Sequence, residues 1–467
     1  MSFRLEIKEC LAPLQARLVA PASGTAVADD FSGVSIDTRT LKPGDLYVAI
    51  QGDRFNGHEF VEAAVEAGAV AVLVHEDLDT TVPQLRVADT RDALGRLARY
   101  WVRGFETPLI AVTGSNGKTT VKEIIATILR QLGPVLATRG NLNNDIGVPL
   151  TLLEMRAEHD YAVIEMGANH AGEIAHLVRI AEPDVALITK IGEAHLEGFG
   201  SVEGIAAAKS EIFGGLKPEG YAIINADDAF ADVMRQAASH CHVREFGLAR
   251  SADVQAVAEP GLAIRTMGQI LKPNFQLSGD HNRLNALAAV AAVQCLDVQP
   301  ENILRGLENV RPVPGRLEKK PGLRGAKLID DSYNANPDSA RQAVDVLARY
   351  DGTRYLVMGD MAELGANAEA LHTQLGAYAR ESGIDGLWAT GPLSSATWKA
   401  FAGDEAPAGG HFADQEALIS DLSERLGADT TVLVKGSRSA RMERVIKALM
   451  PTAAGARVSG VAEEPSS

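Results

Sequence analysis

Residues 109–120 read Leu-Ile-Ala-Val-Thr-Gly-Ser-Asn-Gly-Lys-Thr-Thr: an apolar run enters a glycine-rich turn and leaves it through Lys118, Thr119 and Thr120. That order dictates strand, tight turn, helix. Gly114 and Gly117 permit a backbone path that a Cβ would obstruct. The N–H groups of such a turn converge, and the helix N-terminus adds partial positive charge, so the loop suits phosphate oxygens. In this reading Gly114, Ser115, Asn116 and Gly117 cradle the phosphates. Lys118 reaches the β- and γ-phosphates, and the Thr119 hydroxyl, with Thr120 behind it, ligates Mg²⁺. The usual GxxxxGK[ST] pattern would put its first glycine at 112, where this sequence has Val112. The loop points to a nucleoside triphosphate and says nothing of a second substrate.

The rest of the chain has the alternation that such a unit needs. Residues 161–166, 185–189 and 221–225 are short apolar runs, and 118–132, 171–180 and 201–214 have helical spacing between them. Strands and helices in alternation make a parallel sheet covered by helices. Further helices are expected at 282–296 and 302–307. Arg311-Pro-Val-Pro-Gly315 then reads as a linker. The pattern resumes with strands at 326–330, 355–358, 386–390 and 431–434 and helices at 339–350, 368–382 and 440–449. This last region is of Rossmann type but lacks GxGxxG, so fold alone does not license a dinucleotide. Before the loop, strands at 45–50 and 69–74 and helices at 59–67 and 91–103 form a smaller unit that ends near Thr107-Pro108. The expectation is an α/β protein of three domains: a small N-terminal α/β domain (1–106), a central P-loop-type parallel-sheet domain (107–313) and a C-terminal Rossmann-like domain (314–450). A disordered tail (451–467) follows.

The formal charge of −16 argues against a broad nucleic-acid or anionic-membrane surface, which would attract Lys and Arg. A phosphorylated small substrate needs only a local cationic cradle. Cys10, Cys241 and Cys295 are far apart and suggest neither a zinc site nor a disulfide framework. No apolar run approaches the roughly 20 residues that span a bilayer. No signal-peptide core stands at the start of the sequence. The expectation is a cytoplasmic protein with no membrane insertion, acting as a monomer.

In open α/β sheets ligands sit at the carboxyl ends of strands. The run Ala162-Val-Ile-Glu165 ends in a carboxylate, which offers Mg²⁺ a hard oxygen. His195 lies in the loop after the 185–189 strand. By itself it is as readily a structural histidine. Lys209, in Ala206-Ala-Ala-Lys209-Ser-Glu211, reads by itself as a solvated helix lysine.

These stretches together resemble the Mur ligase family, ATP-dependent amide-forming enzymes of peptidoglycan precursor synthesis. The resemblance rests on the phosphate loop with Gly140-Asn-Leu-Asn-Asn-Asp-Ile-Gly147, Glu165-Met-Gly-Ala-Asn-His170, Ala194-His-Leu-Glu-Gly198 and Ala208-Lys-Ser-Glu211. It extends through Gly279-Asp-His-Asn282-Arg-Leu-Asn285, Pro314-Gly-Arg316 and Asp330-Asp-Ser-Tyr-Asn-Ala-Asn-Pro337. These blocks keep the family's order from about residue 35 to 445. Within the family, EMGANH, HLEGFGS, DDSYNANPDS, GDMAELG and KGSRSARME resemble the branch that joins D-alanyl-D-alanine to UDP-N-acetylmuramoyl-tripeptide.

The resemblance implies a UDP-sugar domain, an ATP domain and a domain for the incoming amine. It implies that Lys118, Glu165, His195 and Lys209 are catalytic. Thr119 and Glu165 would hold one Mg²⁺, and His195 with a carbamoylated Lys209 would help hold a second. Asn282 and Asn285 match groups placed near adenine, and Arg316 and Asp331 match groups that reach the nucleotide. For the UDP-peptide it implies Ser35, Asp37, Arg39, Asn56, His58, Asn141 and Asn144. Asn334, Asn336, Lys435, Ser437 and Arg438 stand at strand ends suited to the dipeptide. A sister ligase adding a single amino acid, a P-loop ATPase switch and a nonenzymatic nucleotide-binding module remain as alternatives at this level. The third residue of the acceptor peptide is not written in the sequence.

Overall fold

The computed structural model describes residues 3–21, 28–52, 55–277, 279–404 and 407–451. Its chain is mixed α/β, built on three large sheets with helices packed on them, plus a two-stranded ribbon. The expected tail, save Pro451, lies outside the described residues. Two compact units are formed. One draws its residues from Met1–Lys190, Ala206–Phe275 and Leu284–Val310, the other from Ile191–Ile205, Gln276–Arg283 and Arg311–Ser467.

The first unit carries two of the large sheets and the ribbon, Leu5–Glu6 against Asp30–Phe31. The smaller has five strands in the order Arg17–Val19, Gln84–Arg86, Ala71–Val74, Asp45–Val48 and Gly33–Ser35, parallel except at the first pair. The larger has nine. Leu109–Thr113 lies between Tyr161–Glu165 and Val185–Ile188, parallel to both, and is buried along its whole length. A strand enclosed on both faces needs an unbroken apolar run, and Leu-Ile-Ala-Val supplies it. From this strand the chain first builds Val135–Ala137 and Tyr161–Glu165 on one side. It then crosses to Val185–Ile188, Tyr221–Asn225 and His242–Gly247 on the other. The reversal makes the carboxyl end of Leu109–Thr113 a topological switch point, where open sheets bind ligands.

Helix Thr90–Val102 joins the two sheets of this unit. The Asp89 side chain caps it, and the Thr90 hydroxyl donates to the Ala49 carbonyl at 2.8 Å. Trp101 Nε1 donates to the Met155 carbonyl at 3.0 Å, and Arg103 Nε donates to Glu182 at 2.9 Å.

The second unit is built on a six-stranded sheet in the order Glu318–Pro321, Lys327–Asp331, Thr430–Lys435, Thr353–Gly359, Gly386–Thr390 and Ala408–Phe412. All pairs but the first are parallel. The last parallel strand in sequence, Thr430–Lys435, inserts beside the first, so the carboxyl ends of Lys327–Asp331 and Thr430–Lys435 lie side by side.

Sequence and structure differ in three instructive places. The helix expected over 201–214 ends at Ser210 and tightens into a 3₁₀ turn, Glu211–Gly215, at the Gly214-Gly215 pair. The helix expected from 440 begins at Glu443. Before it lie the short turn Arg438–Ala440 and Arg441 in the left-handed region at φ 50°. The four strands between His242 and Leu271, the last two antiparallel, were not expected. Glycine- and charge-rich residues around 247–253 and 258–261 mask their short apolar runs.

Helix Lys118–Leu129, which carries the phosphate loop, is backed by helix Pro300–Asn309, with Gly306 at the contact. A Cβ on Gly306 would lie 2.5 Å from the Ile128 Cα. Gly306→Ala gains about 1 kcal/mol of helix propensity but overpacks a backbone contact, costing about 1–3 kcal/mol. A lowered urea midpoint is expected; an unchanged or raised one would show that the two helices part freely.

Candidate functional site

The phosphate loop follows strand Leu109–Thr113 directly. Gly114 has φ 147°, and Gly117 has φ 84° where it caps helix Lys118–Leu129, so both use conformations that L side chains avoid. Their surroundings are equally tight. A Cβ on Gly114 would lie 1.9 Å from Thr189 Oγ1, and one on Gly117 would lie 2.5 Å from Asn285 Oδ1. Lys118 Nζ donates to the Gly114 carbonyl at 2.7 Å. Ser115 N–H donates to the Lys190 carbonyl at 2.8 Å, and Thr189 Oγ1 donates to the Asn116 carbonyl at 2.6 Å. Thr120, next in the helix, is half-buried.

Glu165 ends the adjacent strand and is buried. Its Oε2 accepts from the Thr119 hydroxyl at 2.8 Å, and its Oε1 accepts from Asn143 Nδ2 at 2.8 Å. Its own N–H donates to Thr138 Oγ1 at 2.9 Å. The Thr138 carbonyl accepts from Lys122 Nζ at 2.6 Å, and Lys122 also pairs with Glu123 at 2.7 Å. A hydroxyl and a carboxylate thus meet beside the loop, the hard-oxygen set that suits Mg²⁺. Among the described residues no three His, Cys, Asp or Glu side chains cluster as a metal site. A metal here would therefore rest on Thr119, Glu165 and phosphate oxygens, and the residues present fit that arrangement.

Lys209 is fully buried near the end of helix Val202–Ser210, in contrast to a solvated helix lysine. Burial first, and then the charge of Lys118, pushes its ammonium well below the ordinary lysine value. The neighbouring Glu211 accepts from the N–H groups of Gly172 and Ala175 at 2.8 and 3.0 Å, so it fixes the start of helix Glu173–Ala181.

The expected uridine-loop residues lie in the first sheet's turns. Asp37 accepts from Arg39 Nε and Nη2 at 2.9 and 2.6 Å, and these bonds hold its carboxyl down to about 2. Ser35 Oγ donates to the Asp37 carbonyl at 3.0 Å. Asn56 Oδ1 accepts from His58 N–H at 3.1 Å and Nδ1 at 2.9 Å, while His58 Nε2 accepts from His75 N–H at 3.1 Å. Both ring nitrogens of His58 are therefore engaged in shaping the turn. Asn144 Oδ1 accepts from Gly147 N–H at 2.9 Å, at the start of helix Gly147–Leu153, and Asn141 is exposed.

In the second unit, Lys435 Nζ donates to Asp331 Oδ2 at 2.5 Å and to the Asn334 carbonyl at 2.9 Å. Burial raises the Asp331 carboxyl against the opposing charge of Lys435. Asn334 Oδ1 accepts from Ala335 N–H at 2.9 Å and from Arg438 N–H at 3.3 Å. Arg316 stacks 4.3 Å from the Tyr333 ring centroid and Arg438 lies 5.9 Å from it. Ser437 N–H donates to the Asp360 carbonyl at 2.8 Å. Asn336 completes a capping box with Ser339 at the start of helix Pro337–Ala348. His195, at φ 58°, sets Nδ1 against the Glu363 carboxylate, and Asn282 is buried near the start of helix Asp280–Gln294.

Thr138, Asn143, Thr189 and Tyr333 were not singled out from the sequence. Asn143 and Tyr333 sit inside the quoted blocks, where several polar residues compete for attention. Thr138 and Thr189 are ordinary strand-end threonines whose hydroxyl partners lie at least 27 residues away.

A phosphate loop at a sheet's switch point, with a carboxylate beside its helix-start threonine, defines an α/β nucleotide-binding protein of the P-loop type. Its relatives make the class narrower. Three family models match: the Mur ligase family catalytic domain at residues 30–101, the Mur ligase middle domain at 112–293 and the Mur ligase glutamate ligase domain at 315–438. The chain belongs to the Mur ligase family. It is 46% identical over 425 residues to UDP-N-acetylmuramoyl-tripeptide–D-alanyl-D-alanine ligase of Escherichia coli (strain K12), covering 89% of this chain and 93% of that one. A crystal structure of MurF from Acinetobacter baumannii superimposes with a TM-score of 0.90 at 36% identity, covering 96% of this chain and 100% of the other. MurF ligase from Thermotoga maritima in complex with ADP gives 0.79 at 29% identity, covering 89% and 96%.

The turn around His58 generates a pH dependence. Burial first, and then the charge of His75, pushes the imidazole below its ordinary 6.5. Arg86 acts in the same sense, and Glu76 opposes. A depressed folded value means that the unfolded chain binds more protons just below pH 6.5, so stability falls as pH drops through that window. The Tm of the wild type should therefore fall more than that of His58→Gln between pH 7 and 5. Parallel curves would contradict this.

Proposed function

We propose that this chain is the ATP-dependent ligase that joins D-alanyl-D-alanine to UDP-N-acetylmuramoyl-tripeptide. The product is an amide, with release of ADP and phosphate, made in the cytoplasm for peptidoglycan synthesis. The observation that carries the reading is the buried Thr119–Glu165 pair beside Lys118 and the glycine turn, in a chain 46% identical to an enzyme of that name. ATP is the phosphoryl donor on this reading.

The chemistry follows from the substrates. A carboxylate is a poor electrophile because oxide is a poor leaving group; phosphorylation turns it into an acyl phosphate that an amine can attack. Lys118 leaves the Gly114 carbonyl for the phosphates and offsets charge growing on the transferring group. Thr119 and Glu165 would hold Mg²⁺, which when bound neutralises phosphate charge and orients the triphosphate. Asn143 and Thr138 hold the Glu165 carboxylate and backbone in place. Burial lowers the proton affinity of the Lys209 amine, which favours the uncharged form that carbamoylation by CO₂ requires, and we assign it as the carbamoylated lysine.

The three sheets divide the substrates on this reading. The first sheet takes the UDP-sugar through the Ser35–Arg39 and Asn56–His58 turns together with Asn141 and Asn144. The nine-stranded sheet takes ATP, and the six-stranded sheet takes the dipeptide. Lys435 is committed to Asp331, and the Asn336 side chain caps its helix. Arg438, with its side chain two-thirds exposed, is the better anchor for the dipeptide carboxylate.

Phosphate release should require ATP, UDP-N-acetylmuramoyl-tripeptide and D-alanyl-D-alanine together. Single amino acids should not replace the dipeptide. Lys118→Ala, with a native circular dichroism spectrum, should lower turnover by about 10²-fold or more. Release without any amine would favour an ATPase switch, and release with a single amino acid a sister ligase.

Arg438→Ala removes a charge-assisted bond of about 1.5–3 kcal/mol. The KM for the dipeptide should rise while the KM values for ATP and the UDP-peptide hold. The dipeptide site lies elsewhere if only those other two move.

A further inference from the structure

We infer that Thr189 is a positioning residue for the nucleotide phosphates, acting through the Asn116–Gly117 peptide; the inference rests on the phosphate-loop reading above. Thr189 follows strand Val185–Ile188 and is 2% exposed. It lies far outside the glycine-rich segment and touches the loop with two groups. Its N–H donates to the Thr113 carbonyl at 3.0 Å, and its hydroxyl donates to the Asn116 carbonyl at 2.6 Å.

Peptide geometry turns these bonds into an aim. In a trans peptide the C=O and the following N–H point in opposite directions, and no described peptide here is cis. Fixing the Asn116 carbonyl on Thr189 therefore turns the Gly117 N–H the other way, at the N-cap of helix Lys118–Leu129. The same logic holds two peptides earlier. Ser115 N–H is fixed on the Lys190 carbonyl, and the Gly114 carbonyl on the opposite side of that peptide receives Lys118 Nζ. Residues 189 and 190 thus set the orientation of two peptide planes of the loop, those that flank the Ser115–Asn116 peptide.

Gly114 completes the fit. The Thr189 hydroxyl occupies the place where a Cβ on residue 114 would stand, 1.9 Å from it. The loop glycine is thus required by its own φ and by the hydroxyl that steers the Asn116–Gly117 peptide. A threonine that merely filled space would be served as well by valine, which has the same shape without the donor.

The test compares Thr189→Val and Thr189→Ser with the wild type in two measurements: equilibrium binding of MgADP, and KM values with each of the three substrates varied. Thr189→Val should weaken MgADP about three- to tenfold, the effect of losing one net hydrogen bond. It should raise the KM for ATP alike and leave the KM for the dipeptide unchanged. Thr189→Ser, which keeps the donor, should stay within about twofold of wild type. If Thr189→Val does not fold, Thr189→Ala removes the same hydroxyl without adding volume and carries the same expectation. Wild-type MgADP affinity in the donor-less variant overturns the inference, as does equal impairment by serine and valine or an equal rise in all three KM values. A wild-type protein that binds MgADP but ligates no dipeptide would overturn the proposed substrates while leaving this comparison intact.

Discussion

The central constraint in this molecule is steric, at the end of a strand buried along its whole length. Leu109–Thr113 has parallel neighbours on both sides, so the chain can leave only from its carboxyl end, and Gly114 there has no room for a Cβ. From that point the path is forced: a turn of left-handed glycine, a helix start, and a lysine facing back onto the turn. Strand Tyr161–Glu165 on one side supplies the carboxylate to Thr119, and the residues after Val185–Ile188 on the other supply the bonds that orient the loop. Both flanking strands are in register with the central one. The register of the sheet therefore sets the geometry of the site, with little left to side-chain freedom.

Charge is handled in the same local manner. The chain is acidic, at −16, yet the reaction proposed for it involves a triphosphate, a UDP-peptide and carboxylates. Cations are therefore held in place: Lys118 on a carbonyl, Lys122 buried against Thr138 and Glu123, Lys435 against Asp331, and Arg316 on the face of Tyr333. A buried charge needs such partners because desolvation is expensive. Lys209 takes the other route, since burial drives it toward its neutral form. A solvated lysine would stay charged at neutral pH and unreactive toward CO₂. On the proposed reading, the same burial favours the uncharged amine that carbamoylation needs.

How much of this was legible in the sequence depends on the range of the interaction. Strand 109–113 and the start of the helix at Lys118 were readable to the residue, because an apolar run, two glycines and a lysine act within a dozen positions. Glu165 was readable as a strand-end carboxylate. Lys209 was not: its helix reads as solvated, and only the fold shows it buried. Asn336 and His58 were readable as polar turn residues. What the sequence could not say is that their side-chain groups are already spent, one on a capping box and the other between Asn56 and His75. Thr138 and Thr189 were invisible for a different reason, since a threonine at a strand end has no local signature of what it holds.

The contrast between Asn336 and Arg438 shows why position in a strand-end loop is not enough to define a binding group. Both follow strands whose carboxyl ends lie together, and both suit a peptide substrate chemically. Asn336 accepts from Ser339 N–H at 2.9 Å, and its own N–H donates to Ser339 Oγ at 3.0 Å. Substituting it removes a helix cap worth about 1 kcal/mol before any substrate is considered. Among the described residues the Arg438 side chain makes a 3.6 Å pair with Glu443 and a distant approach to Tyr333, so it can turn to a carboxylate at small loss. Where the helix begins matters as well. With Glu443 rather than residue 440 as its first residue, the α-helix N-terminus does not stand at Arg438, and on the proposed reading the guanidinium itself meets the dipeptide carboxylate.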